Sequence, residues 1–131
     1  MEENRFSIEF SENILKVHFP KNTLITPELI LEVYTKELHF FQNKEMNDLW
    51  DLRTCEVPKN LNSSSMQNIV FEIKKIYSPD SKHLKTALLI ETELGLGMTR
   101  MFQIIGDDLP FKIEVFRVEA QAKSWLTDSG S

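Results

Sequence analysis

The chain opens with two short segments in which apolar and polar side chains alternate. Residues 5–10, RFSIEF, alternate strictly, and residues 14–19, ILKVHF, follow after a polar turn. A period of two puts the apolar side chains on one face of a half-buried strand. Two such strands separated by only a few residues pair as an antiparallel hairpin, so we predict one here.

A continuous apolar run, residues 86–90 (TALLI), is followed by a polar turn and then by a helical pattern. The run shows no alternation and is typical of a strand buried on both faces. Gly95 and Gly97 come after the turn, and we expect them to relieve the backbone where the helix begins. In open α/β sheets ligands bind beyond the carboxyl ends of the strands, so any site should border this turn.

Helical periodicity predicts three further helices. The first should run from Pro27 to about Phe41, because proline is favoured at the first position of a helix. The second should begin within the serine triplet at residues 63–65, where serine side chains can cap its free amides. The last carries its apolar stripe over residues 118–126, with Trp125 in that stripe.

Two further strands complete the pattern, at residues 48–53 (DLWDLR) and around residues 113–116. The resulting order, β-β-α-β-α-β-α-β-α, predicts one α/β domain over residues 1–131 with a five-stranded, mixed, mostly parallel sheet and four helices. Only the first strand should run antiparallel to the others. Trp50, in the sheet, and Trp125, on the last helix, should both be largely buried.

Composition narrows the function classes. The formal net charge of the 131 residues is −5 and the basic residues are scattered, so we expect no nucleic-acid partner. The N-terminus lacks the basic-then-apolar pattern of a secretion signal, and no apolar run approaches the roughly 20 residues of a membrane span. A single cysteine excludes an internal disulfide. We therefore expect a cytoplasmic protein that has no membrane partner.

Three segments carry a family resemblance: WDLR in the third strand, TALLI followed by a turn and GMTRMF, and VFRVEAQAKSWL near the C-terminus. Together they resemble uncharacterised bacterial proteins with the STAS-like, or SpoIIAA-like, fold of the sporulation anti-sigma-factor antagonist. The resemblance spans about residues 5–126. It implies a small α/β domain with a mixed sheet, and it is compatible with a non-catalytic regulatory or protein-interaction role without a cofactor.

The antagonist branch of this fold carries a regulatory serine at the start of a helix, in an Asp-Ser-Ser/Thr-Gly context. The matching region here reads Asn62-Ser63-Ser64-Ser65-Met66, so the preceding aspartate and the following glycine are absent. The resemblance therefore does not carry the phosphorylation site over. Ser63, Ser64 and Ser65 are kept as phosphorylation candidates, but helix capping is the preferred interpretation.

Other chemical motifs are incomplete. The Gly95-Leu96-Gly97 triplet matches the first half of a dinucleotide fingerprint, but Arg100 occupies the third glycine position and two glutamates in the turn would repel a pyrophosphate. The three histidines have no second ligand at metal-binding spacing. Cys55 has no histidine placed to activate it, so we expect an inert thiol.

The one candidate binding site that the sequence supports consists of residues at the ends of three different strands. Asp51 and Arg53 end the third strand, Glu91 and Thr92 follow the fourth, and Arg117 follows the fifth. The carboxyl ends of parallel strands meet at one edge of a sheet, so these side chains could bind a small polar ligand there. The preferred alternative is a network of ion pairs that ties the loops together.

Three functions remain open. The first is a non-catalytic regulatory or interaction domain, and the second is an enzyme using Asp51 or Glu91 as a general base. The neighbouring arginines argue against the second, since a base needs a raised pKa and each arginine holds a carboxylate ionised. The third is a homo-oligomeric structural subunit. Phe40, Phe41 and Phe111 are expected to form an apolar patch that a homodimer covers, unless they fold back onto their own core.

Overall fold

A computed structural model describes residues 5–41, 47–58, 61–77 and 84–128, with the side chains of the first helix described as far as Glu37. The predicted turns after the first two helices, and the side chains of Phe40 and Phe41, lie outside that description. The elements in chain order are β1 (Ser7–Ser11), β2 (Ile14–His18), α1 (Pro27–Phe41), β3 (Asn47–Asp51), α2 (Ser63–Ile76), β4 (Lys85–Leu89), α3 (Glu93–Ile105), β5 (Lys112–Phe116) and α4 (Glu119–Thr127). A 3-10 turn, Gly106–Asp108, follows α3.

The five strands lie side by side in their chain order, β1-β2-β3-β4-β5. β1 pairs antiparallel with β2, and every later pair is parallel, which confirms the predicted mixed α/β sheet. Each parallel pair is joined by one helix that crosses to the adjacent strand. Crossovers of one hand put successive helices on the same face of the sheet, so α1, α2 and α3 share a face.

Two cores lie on the two faces of the sheet. The larger core packs α1, α2 and α3 against side chains that include Val17, Trp50 and Leu88. The smaller core packs Ala122 and Leu126 of α4 against the opposite face. Because β4 is central and covered on both sides, all five of its residues are buried, as its continuous apolar run predicted.

The start of α3 differs from the prediction. The helix begins at Glu93, so Gly95 and Gly97 lie inside it, and neither has a positive φ. The expectation that they relieve the backbone at the helix start is therefore wrong. Gly95 is needed for close packing instead, since a Cβ there would lie 2.7 Å from Cγ1 of Ile90 and 2.8 Å from Oγ1 of Thr92.

The burial of the aromatic side chains agrees only in part with the prediction. Trp50 is buried in the larger core, whereas Trp125 is only partly buried against the ring of Phe116. The expectation that Phe111 belongs to an exposed patch is wrong. Its ring is buried, with its centroid 5.1 Å from that of Tyr77.

Exposed apolar side chains lie elsewhere, and α3 carries the two most exposed among the described residues. Leu94 is 66% exposed and Ile104 is 73% exposed.

None of the helices in the described part of the chain combines the length and the apolar character needed to cross a membrane. The cytoplasmic location expected from composition stays a prediction.

Candidate functional site

The carboxyl end of β3 carries a tight ion pair. Arg53 donates from Nε to Oδ1 of Asp51 at 2.9 Å and from Nη2 to Oδ2 at 2.8 Å. The same Nη2 donates to Oε1 of Glu119, on α4, at 3.1 Å. A bidentate pair fixes both planar groups, so the guanidinium is largely committed to protein carboxylates.

The predicted candidates divide into two groups. A groove of about 270 Å³ brings Asp51, Arg53 and Glu91 together, with His18, Phe19 and Thr54 as its other lining residues. Thr92 and Arg117 do not line it. Thr92 caps α3 by accepting the amide of Gly95 at 3.0 Å, and Arg117 donates to the main-chain oxygen of Glu91 at 3.0 Å.

The electrostatics of the groove favour the ion-pair interpretation. Hydrogen bonds from Arg53 lower the pKa of Asp51 below its ordinary value. On the neighbouring helix, a hydrogen bond from Lys16 and then one from Lys123 lower the pKa of Glu119. A carboxylate held ionised by cations is a weak proton acceptor at neutral pH, so these acids suit structural pairing better than general-base chemistry.

A second space lies on the helix side of the same strand ends. Trp50 precedes Asp51 in β3, and successive side chains of a strand point to opposite faces. Trp50 therefore faces the core formed with α1, α2 and α3, and Asp51 faces the other side of the sheet. The space is a cavity of about 60 Å³. Its lining side chains are almost entirely apolar and come from both central strands, all three helices of this face and the loops between them: Ile25, Ile30, Trp50, Leu52, Cys55, Val57, Leu61, Met66, Leu88, Ile90, Met98, Thr99 and Phe102.

Two loops are tied together beside this cavity. Leu24 and Glu56 form an isolated parallel bridge between the segment before α1 and the segment after β3. The amide of Ile25 donates to the oxygen of Glu56 at 2.9 Å, and the amide of Glu56 donates to the oxygen of Thr23 at 2.8 Å. These main-chain bonds hold Ile25 and Cys55, both lining residues, in position.

The polar atoms among the lining side chains are not available to a ligand. The Thr99 hydroxyl donates within its own helix to the main-chain oxygen of Gly95 at 2.9 Å. Burial raises the pKa of the Cys55 thiol to about 12, so the thiol stays neutral and weakly nucleophilic, as the sequence predicted. A buried water needs two to four polar partners, so this cavity suits apolar contents.

Sequence reasoning missed the cavity because its lining residues look like ordinary core. The strand-end rule led to polar residues on the opposite face of the sheet. The methionines are the one signal in the sequence that points to it, since Met66 and Met98 both line the cavity, whereas Met101 does not. Methionine adapts to irregular apolar space, so its use at both α2 and α3 is consistent with a cavity between them.

Ser63, Ser64 and Ser65 lie in the first turn of α2, but none of them is its N-cap. Asn62 caps the helix by accepting the Ser65 amide at 3.0 Å, and the Ser65 hydroxyl accepts the Asn62 amide at 2.9 Å. The predicted role of these serines as N-caps is therefore corrected to a capping box with asparagine at its head. Their phosphorylation stays a prediction.

Comparison with known proteins shows the fold and no more. The chain is similar to the crystal structure of an uncharacterised protein of the DUF3478 family, with a SpoIIAA-like fold, from Shewanella loihica PV-4. The TM-score is 0.55 at 16% sequence identity, over 96% of this chain and 98% of that one. No protein-family model matches the chain, and no curated protein matches it. The fold is thus SpoIIAA-like, as the sequence segments had suggested.

Proposed function

We propose that this protein is a non-catalytic regulatory domain that binds a small apolar molecule, or the apolar end of a larger one, in the cavity between the strand ends and α1, α2 and α3. The observation that carries the proposal is the cavity itself, about 60 Å³ of space lined by side chains of the larger core. Its lining side chains are almost entirely apolar, so an apolar group that enters it leaves water and gains free energy.

The polar groove supports a regulatory role better than an enzymatic one. Its aspartate is held ionised by Arg53, and its guanidinium is shared between Asp51 and Glu119. A catalytic base would need a carboxylate with a raised pKa and room for a substrate proton beside it. The groove therefore serves, in this proposal, to fix the loop after β3 against α4.

Helix α3 gives the domain a way to report an occupied cavity to a protein partner. Met98 and Phe102 line the cavity from this helix, and Leu94 and Ile104 of the same helix are exposed. A ligand that shifts α3 by a fraction of an ångström moves the exposed apolar side chains with it, because a helix moves as a unit. Leu94 and Ile104 are therefore the positions at which we expect such a partner to contact the helix.

Xenon is a suitable probe, since it enters small apolar cavities without needing a polar contact. In methyl-labelled protein under xenon pressure, we expect chemical-shift changes concentrated in Ile30, Leu88 and Ile90. Val57→Leu, which adds a methylene at a lining position, should reduce these changes. The matched control Val118→Leu, at an exposed position, should leave them unchanged.

Uniform small shifts over all methyl groups would contradict the proposed cavity. Equal shifts in Val57→Leu and wild-type protein would place xenon elsewhere and would also contradict it. Once xenon binding is established, short aliphatic and aromatic compounds tested in the same way define which apolar group the cavity accepts.

A further inference from the structure

Two carboxylic acids are buried in the larger core, and neither lines the cavity or the groove described above. Glu37 of α1 is 0% exposed and Asp48 of β3 is 4% exposed. Helical spacing puts Glu37 on the same stripe as Val33 and Tyr34, which are both buried. A glutamate at a core position of an amphipathic helix is costly unless it is paired or neutral.

The two acids have different surroundings. Asp48 accepts hydrogen bonds on both oxygens, from the Thr86 hydroxyl to Oδ1 at 2.6 Å and from the Trp50 indole to Oδ2 at 2.8 Å. In the described part of the chain, neither oxygen of Glu37 has a hydrogen-bond partner, and the Tyr34 hydroxyl also lacks one. Two donors stabilise a charge on Asp48, whereas among the described residues the only donor that favours a charge on Glu37 is the Trp50 indole, which is already bonded to Asp48.

Among the residues that the structure describes, the groups that face Glu37 add no positive charge. Asp48 faces it from β3, Tyr34 lies on its own helix, and Tyr77 faces it from the end of α2. Among the described residues, no ion pair includes Glu37 or Asp48. Burial raises the pKa of Glu37 well above its ordinary value, and the charge of Asp48 raises it further. Burial also raises the pKa of Asp48, against its hydrogen bonds.

We propose that Glu37 acts as a proton-operated latch between α1 and the sheet. Its neutral carboxyl remains buried beside Asp48, and loss of its proton drives this part of α1 out of the core. The two states differ by one proton, which passes to solvent when the latch opens. Both carboxylates are then charged, and Glu37 can relieve the repulsion only by moving to water.

Opening the latch disturbs the aromatic cluster that joins the acids to the cavity. The Tyr34 ring packs on Trp50 with centroids 4.8 Å apart, and Trp50 both donates to Asp48 and lines the cavity. Movement of α1 therefore removes Tyr34 from Trp50 and changes the cavity wall. This regulation concerns the position of α1 and does not depend on whether the cavity binds a ligand.

The sign of the pH dependence follows from proton linkage. The folded protein holds the Glu37 proton more tightly than the unfolded chain does. Stability is therefore unaffected by this group below its unfolded pKa and falls as the pH rises from there towards the folded pKa. In that window, one linked proton raises the equilibrium constant for opening about tenfold per pH unit.

Hydrogen exchange with mass-spectrometric or NMR detection tests the latch in the whole chain. Between pH 5 and pH 9 we expect the protection factors of α1 amides to fall by up to about tenfold per pH unit, while those of α4 change little. Glu37→Gln, which mimics the neutral acid and has no proton to lose, should abolish the fall. Glu32→Gln, a partly exposed position on the same helix, should retain it.

Asp48→Asn is the second variant, and it tests the latch even if Glu37→Gln does not fold. Removing the neighbouring charge should lower the pKa of Glu37 in the folded protein, so the fall in α1 protection should begin at the same pH, end at a lower pH and be smaller in total. Protection factors of α1 that are independent of pH in the wild-type protein would overturn the latch. A pH dependence that persists unchanged in Glu37→Gln, or is unmoved by Asp48→Asn, would overturn it as well.

Discussion

Trp50 and Asp51 are adjacent in β3, yet their side chains serve two separate spaces. The indole lines the apolar cavity on the helix side, and the carboxylate lines the polar groove. Because a strand alternates its side chains, one strand end can hold an ion pair on one face and an apolar wall on the other. A change that moves the end of β3 therefore affects both spaces together.

The ion pair beside the groove should contribute modestly to stability. Arg53→Ala removes the two side-chain hydrogen bonds to Asp51, and we expect a loss of about 1 kcal/mol near pH 7, since the pair is partly exposed. The pKa of Asp51 is lowered in the folded protein, so its contribution is present above the unfolded pKa and is lost as the pH falls. Urea unfolding at pH 7 and pH 3 should show a smaller difference between variant and wild type at pH 3. An equal difference at both values would contradict this account.

Lys85 should anchor the last helix to the sheet. Its Nζ donates to the main-chain oxygens of Trp125 at 2.9 Å and Asp128 at 3.0 Å, at the C-terminal end of α4. Lys85→Met leaves these oxygens without that donor, and we expect a loss of about 1–3 kcal/mol in urea unfolding. Lys112→Met is the matched control, because Lys112 pairs with Lys85 in the sheet register but is exposed. Equal effects of both changes would show that the hydrogen bonds from Lys85 do not stabilise the end of α4.

Two glycines of α3 should respond oppositely to alanine. A Cβ at Gly95 would lie within 3 Å of Ile90 and Thr92, so Gly95→Ala should destabilise by about 1–3 kcal/mol through overpacking. A Cβ at Gly97 meets nothing within 4 Å, so Gly97→Ala should stabilise by about 0.5–1 kcal/mol through helix propensity. Thermal unfolding measures both. If Gly95→Ala stabilised the protein, the Ile90 side chain would have to move aside without a loss of folding free energy.

Cys55 should react slowly with alkylating reagents in the folded protein. Its pKa is raised to about 12 by burial, and the thiolate is the reactive form. Iodoacetamide at pH 8 should therefore modify folded protein far more slowly than protein unfolded in urea, as followed by mass spectrometry. Equal rates in the two states would show an accessible, ionised thiol and would reopen a nucleophilic role.

Assembly is testable without knowledge of a ligand. The predicted homodimer no longer has Phe111 as support, because that ring is buried. Sedimentation equilibrium at micromolar concentration should give a dimer mass if the first helix forms the interface, and Phe40→Asp should dissociate it with the circular dichroism unchanged. A monomer mass throughout this range would exclude the homodimer and leave a different protein partner to be sought at α3.

The amino-acid sequence by itself determined the order and type of the elements. The uninterrupted run at residues 86–90 predicted a doubly covered strand, and β4 is buried on both faces. Alternation in residues 5–10 and 14–19 predicted the hairpin that β1 and β2 form. These features follow from the periods of strand and helix, which depend on neighbours along the chain and are therefore legible without a tertiary structure.

Only the tertiary structure decided what each buried side chain meets. In the sequence Asp48 is only a polar residue within a strand, and its importance depends on Trp50, Thr86 and Glu37, of which the last two lie on other elements. The cavity likewise exists because side chains from strands, helices and loops leave a space between them. Burial, pairing and voids are properties of contacts between distant segments, and hydrophobic periodicity records only that a residue faces inward, not what it finds there.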